Sequence, residues 1–169
     1  QGTGSVVTTG IVTSCVGTTG YIQDATAAIC VYGAELTIGD EIRVSGTLNT
    51  YRGLLEITSP QVTVVSSGNT VTPIVKTIAE INADDYTSST SIQGLYVTIE
   101  NAKVTVINGQ NTTIAQGDNT IVVRGISSDV TYALNDILTL DGNIGCFDAA
   151  QIANPQNVTV QQNTEPAII

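Results

Sequence analysis

Residues 10–33, GIVTSCVGTTGYIQDATAAICVYG, align without a gap on residues 102–125, AKVTVINGQNTTIAQGDNTIVVRG. Val12, Thr13, Gly17, Ile22, Ile29, Val31 and Gly33 coincide with Val104, Thr105, Gly109, Ile114, Ile121, Val123 and Gly125. The match continues from GDEIRVSG (39–46) to NDILTLDG (135–142) with the register moved by four residues. That shift places an insertion between the third and fourth strands of the second copy, ISSDVTYAL against AELTI. The match closes on ITSPQVTV (57–64) and IANPQNVTV (152–160). Identities fall at alternating apolar positions and turn glycines, and gaps fall in loops. A chain that writes one unit twice folds as two copies of one small architecture.

Within the first copy, alternation and turn residues predict five strands, at about 3–16, 20–24, 28–32, 40–48 and 53–58, the last finished by PQVTV at 60–64. GTTG, DATA and TYRG supply the turns, and Pro60 belongs at an edge or bulge where no amide donor is needed. The chain has no Trp and one Phe, so its core is built from Val, Ile and Leu, which favour strands. Ile22, Ile29, Val31, Ile42 and Val44 are expected to point inward. A long, bent first strand in a five-stranded unit predicts a small closed barrel of the OB type. The expected fold is all-β: two tandem five-stranded OB-type barrels, over 1–68 and 69–169, with one short helix before the second. Thr77 and Glu80 have capping-box spacing, and Ile78 and Ile81 would plug the second barrel. No equivalent segment precedes the first copy's strands in this sequence.

The net charge is −10, and the five cations, Arg43, Arg52, Lys76, Lys103 and Arg124, are scattered along the chain. Binding to a polyanion requires clustered cations that displace counterions, so this pattern disfavours nucleic acid as a partner. With no His there is no Ser/His/Asp set and no commonest neutral metal ligand; no catalytic residue, metal or cofactor is expected. Asp84–Asp85 and Asp118 beside Asn119 lack the alternating oxygen ligands of a calcium loop and are expected to serve turns and caps. Three cysteines allow one disulfide, with Cys15 and Cys30 the candidates, or three buried thiols; the sequence leaves both readings open. The sequons at Asn111 and Asn157 have meaning in a glycosylating host alone. No segment has the ~18 continuous apolar residues of a membrane span. The absence of an initiating Met or signal pattern at Gln1 suggests a mature or excised piece.

If Ile22, Ile29 and Val31 face the core, then Tyr21, Gln23, Cys30 and Tyr32 share the outer face of strands two and three. OB barrels commonly bind ligands there and at the adjoining loops. Tyr21, Gln23, Tyr32, Tyr51 and Arg52 are therefore the candidate ligand-binding residues, the rings stacking on a sugar or a base. The alternative is that these tyrosines are ordinary strand formers or pack on the sister barrel. The second copy has Thr113, Ala115, Val122 and Arg124 at the corresponding places, without aromatics.

The strings GYIQDATAAICVYG, IGDEIRVSGTLNTYRGLLEI and VTPIVKTIAEIN followed by IQGLYVTIENAKVT resemble secreted bacterial tandem OB-fold modules, found in extracellular and surface proteins beside nuclease domains. The resemblance covers nearly the whole chain. The second copy departs from it where Arg124 stands for Tyr32 and GCFDAAQI for TYRGLLEI. The resemblance implies a non-enzymatic, extracellular or cell-surface structural subunit. Such a subunit would assemble with itself through strand edges and chain ends, at Gly4, Ser5, Val6, Val7, Pro166, Ala167, Ile168 and Ile169. The alternative expectation is an accessory module that binds a glycan or a partner such as a secreted nuclease through the first barrel's aromatic face.

Overall fold

The computed structural model describes residues 4–86 and 90–165. In the first copy, β1 (Gly4–Val16), β2 (Thr19–Gln23), β3 (Ala28–Tyr32), β4 (Glu41–Tyr51) and β5 (Leu54–Ser66) close into a barrel in the order β1-β2-β3-β5-β4. Closure depends on the length of β1: Gly4 to Ile11 pair with β4, and Ile11 to Val16 pair with β2. A register shift between Val12 and Ser14 bends the strand from one partner toward the other. The parallel contact of β3 with β5, Cys30 opposite Glu56 and Val31 opposite Ile57, seals the ring.

The second copy repeats this plan. Its strands are β7 (Tyr96–Asn108), β8 (Asn111–Gln116), β9 (Asn119–Arg124), β10 (Ile137–Cys146) and β11 (Ala150–Gln161). They run β10-β11-β9-β8-β7, and β10 also pairs with β7. A short strand, β6 (Ile74–Val75), adds to β7 in parallel. The helix α1 (Ile78–Asn82) follows it, and both halves of the capping box form: Glu80 N donates to Thr77 Oγ1 at 3.1 Å, and Thr77 N donates to Glu80 Oε1 at 3.0 Å. Two tandem OB-type barrels with a short helix before the second are thus the architecture, as the duplication predicts.

Val12, Ile22, Val31, Ile42, Val44 and Ile57 fill the first barrel, with Ile29 partly buried beside them. In the second, Ile114, Ile121, Val123, Leu138, Leu140 and Ile152 stand at the matching positions, and Ile78 and Ile81 of α1 join them. The inward expectation for Ile22, Ile29, Val31, Ile42 and Val44 holds.

The structure corrects one point of the sequence reading. Alternation places Tyr21 and Cys30 on the outer face, yet both are buried, as are Thr13 and Ser14, because the second barrel covers that face. Asn143, fully buried on β10, accepts from Ser14 Oγ (2.7 Å) and donates to Thr13 Oγ1 (2.9 Å) and to the Gly94 carbonyl (3.0 Å). The Asn154 amide donates to Ser14 Oγ and to the Thr19 carbonyl. A further placement concerns the residues expected to assemble. Gly4, Ser5, Val6 and Val7 are already paired, to Leu48, Thr47, Gly46 and Ser45, so one side of this stretch is spent inside its own barrel. The pairing of β1 with β2 begins at Ile11. Pro166, Ala167, Ile168 and Ile169 lie outside the described residues.

Candidate functional site

The junction between the barrels forms a cleft of about 380 Å³. Tyr32 enters it from the end of β3, and Tyr51 from the end of β4. The Arg52–Gly53 turn, with φ of 49° and 90°, reverses β4 into β5; this left-handed pair fits the strand twist of a tight hairpin. The turn meets its own counterpart in the second copy, the β10–β11 loop, where Phe147 N donates to the Ala149 carbonyl. Asp148 N donates to the Arg52 carbonyl at 2.7 Å, while Arg52 Nε donates to Asp148 Oδ2 at 3.0 Å and the guanidinium forms an ion pair with the same carboxylate. That guanidinium also lies 4.1 Å from the Phe147 ring centroid, a cation–π arrangement. The Tyr51 and Phe147 rings are tilted by 54° with centroids 6.4 Å apart. Arg124, at the end of β9, lines the cleft and donates to Asn111 Oδ1 at 3.1 Å.

Tyr32, Tyr51 and Phe147 are about half exposed, at 51%, 54% and 50%. A large ring held half in water beside a guanidinium can stack on a planar group and place a cation near an anion. Deeper in the cleft, Glu56 is buried and accepts from Asn49 Nδ2 at 2.9 Å.

Of the five candidate ligand residues, Tyr32, Tyr51 and Arg52 come together at this junction. Tyr21 also borders the cleft, but it is 1% exposed and burial raises its hydroxyl pKa above the usual tyrosine range; it is a packing residue. Gln23 lies elsewhere, where its Oε1 accepts from Tyr96 N at 2.9 Å and ties the barrels together. Phe147 and Arg124 escaped the sequence reading. Both sit where the second copy departs from the first, and that departure was the available signal.

Cys15, Cys30 and Cys146 are free thiols, so the Cys15–Cys30 disulfide does not form. Burial, reinforced by the neighbouring Glu56 carboxylate, pushes the Cys30 thiol up to about 12, and burial also raises Cys146. Iodoacetamide at pH 8 is therefore expected to modify Cys15 in the native protein and to spare Cys30 and Cys146 until it is unfolded. Peptide mass mapping checks this; labelling of Cys30 at the rate of Cys15 would contradict the buried placement.

No protein-family model and no curated protein matches this chain. Among solved structures, a murine DNA-binding protein bound with double-stranded DNA is similar at 14% identity and a TM-score of 0.48, over 96% of this chain and 99% of that one. The Ifi202 HINa domain in complex with 20-bp double-stranded DNA gives 14% and 0.44, over 94% and 98%. The telomere capping protein Ten1 from Saccharomyces pombe gives 11% and 0.39, over 50% of this chain and 80% of that one. These are not secreted bacterial surface modules, and that resemblance is corrected. With it fall the extracellular structural subunit, the glycan- or nuclease-binding alternative, the self-assembling or cell-surface partners and the extracellular location. The expectation that nucleic acid is disfavoured is corrected as well. Alternating Val and Ile with turn glycines are what any small barrel needs, so the strings behind the resemblance reported architecture and little else.

Proposed function

We propose that this chain is a non-catalytic binding module whose inter-barrel cleft holds one or two unstacked bases of a single-stranded nucleic acid. The observation that carries the reading is the cluster of Tyr32, Tyr51 and Phe147, half exposed at one junction beside Arg52 and Arg124. Arg124 lines the cleft, and Arg52, ion-paired with Asp148, lies beside Phe147 at its edge. Stacking on aromatic rings tolerates any base and needs few phosphate contacts, which suits a chain of net charge −10. The same charge weighs against a duplex, which demands a continuous basic surface. The absence of His supports a binding role without a reaction, since no nucleophile–base pair of the usual kind can be built.

Fluorescence anisotropy with labelled oligo-dT and oligo-dA, single-stranded and annealed, tests the proposal. Single strands should bind and the duplex should bind less. Tyr51→Ala and Phe147→Ala should each weaken binding by about 5- to 150-fold, given ~1–3 kcal/mol per stacked base. With one or two phosphate contacts, log K should fall against log salt with a slope of about −0.7 to −1.4. Three results count against the idea: no single-strand binding at low salt, unchanged affinity in the double-alanine variant, or a much steeper salt slope.

A further inference from the structure

The two barrels differ at one end. In the second, α1 lies against β8 and β9: Ile78 N donates to Gln116 Oε1 at 2.9 Å, and Asn82 Nδ2 donates to the Thr120 carbonyl at 3.0 Å. In the register of the repeat, Gln116 and Thr120 correspond to Asp24 and Ala28 of the first copy. Those two residues line an apolar cavity of about 360 Å³, together with Val6, Thr8, Ile29 and Leu55.

Strand pairing fixes the correspondence independently. Val97 lies opposite Gly142 as Val6 lies opposite Gly46, and Ile99 lies opposite Leu140 as Thr8 lies opposite Val44. Val97 and Ile99 are fully buried, whereas Val6 and Thr8 are half-buried. Ile144, fully buried, matches Leu48, which also lines the cavity and is half-buried. The cavity is thus the seat that α1 fills in the second barrel, and no helix among the described residues fills it in the first.

The seat also has an electrical sign. Asp24 is the one charged side chain among its lining residues. Its Oδ1 accepts from Thr26 N, Thr26 Oγ1 and Ala27 N, and these bonds hold its carboxyl below the ordinary range. A carboxylate therefore stands where the second barrel has the neutral acceptor of the helix's first amide. It favours an occupant whose helix N-terminus, or a cation beside it, meets the rim. Lys76 holds that place before α1.

We infer that the open end of the first barrel is a docking seat for a short helix of a partner protein, capped by Ser or Thr, preceded by a basic residue and carrying two isoleucines or leucines three residues apart. A peptide with the sequence TPIVKTIAEINA, residues 72–83 of this chain, is the probe. Titrated into the full protein labelled at Ile, Leu and Val methyls, it should shift Ile22, Ile29, Leu48 and Leu55 and leave Ile114 and Ile121 unmoved. A peptide with serine in place of both isoleucines should bind at least about tenfold more weakly, because two buried aliphatic side chains are lost. The Asp24→Asn protein, which keeps the turn's acceptor and removes its charge, should bind the probe about two- to fivefold more weakly at low salt. Four outcomes would overturn the inference. These are no methyl shift at millimolar peptide, shifts centred on Ile114 and Ile121, equal binding of the serine peptide, or sedimentation showing that the chain alone dimerises by placing α1 in a neighbour's seat.

Discussion

Asn143→Ala is expected to destabilise the protein by about 3–5 kcal/mol, because it strands several buried polar groups at once. Asn143 is fully buried, and its amide serves Ser14 Oγ, Thr13 Oγ1 and the Gly94 carbonyl. Thr13 and Ser14 are themselves 4% and 1% exposed, so water does not readily replace the lost partner. Each buried donor or acceptor left alone costs ~1–3 kcal/mol. The same contacts tie β10 to β1, so the two barrels should also unfold less cooperatively in the variant. Urea unfolding followed by separate probes in each barrel measures both effects. A loss below about 1 kcal/mol, the usual worth of one hydrogen bond, would mean that the site rearranges or admits solvent.

The face that Asn143 occupies explains what was legible in the sequence. Ile22, Val31, Ile42 and Val44 announce their inward placement by period-two alternation, a local signal. The burial of Tyr21 and Cys30 has no local signal. It depends on docking by the second barrel, whose Gly145 approaches the Tyr21 hydroxyl, and alternation marks both side chains as solvent-facing. The capping box at Thr77 and Glu80 was legible for the opposite reason, since its two partners lie within one helical turn.

The candidate site divides in the same way. Tyr32, Tyr51 and Arg52 sit at strand ends and a tight turn that the first copy's pattern exposes. Phe147 and Arg124 complete the cluster only because corresponding loops of the two copies meet, a contact no single repeat encodes. Net charge is silent on where single groups sit. Arg124 and Glu56 both line the cleft, and Arg52 stands beside it in an ion pair with Asp148. Net charge governs long-range steering; a stacking cleft depends on a few local groups.

The repeated strand ending, SPQ in one copy and NPQ in the other, supports the second large prediction. Ser59 and Asn154 have φ of 49° and 48°, and each precedes a proline that cannot donate to the ladder. Ser45 pairs with Gln61 and Thr47 with Thr58, so Ser59 and Pro60 together oppose the single residue Gly46. In the second copy, Asp141 pairs with Gln156 and Asn143 with Ala153, so Asn154 and Pro155 oppose Gly142. These are two copies of one β-bulge, and the facing glycine makes room for it. A Cβ at Gly46 would stand 2.6 Å from both Ile57 Cγ2 and the Thr58 carbonyl oxygen; at Gly142 it would stand 2.4 Å from Ile152 Cγ2. Ile57 and Ile152 are fully buried and have nowhere to retreat, so the strand or the core must give way. Gly46→Ala and Gly142→Ala should therefore each destabilise by about 2–3 kcal/mol, the upper part of the range for overpacking. The two losses should be similar because the geometry is duplicated. Denaturation midpoints of the two variants decide it: stability within about 0.5 kcal/mol of the parent, the usual effect of a surface change, would show that the bulge does not need its glycine.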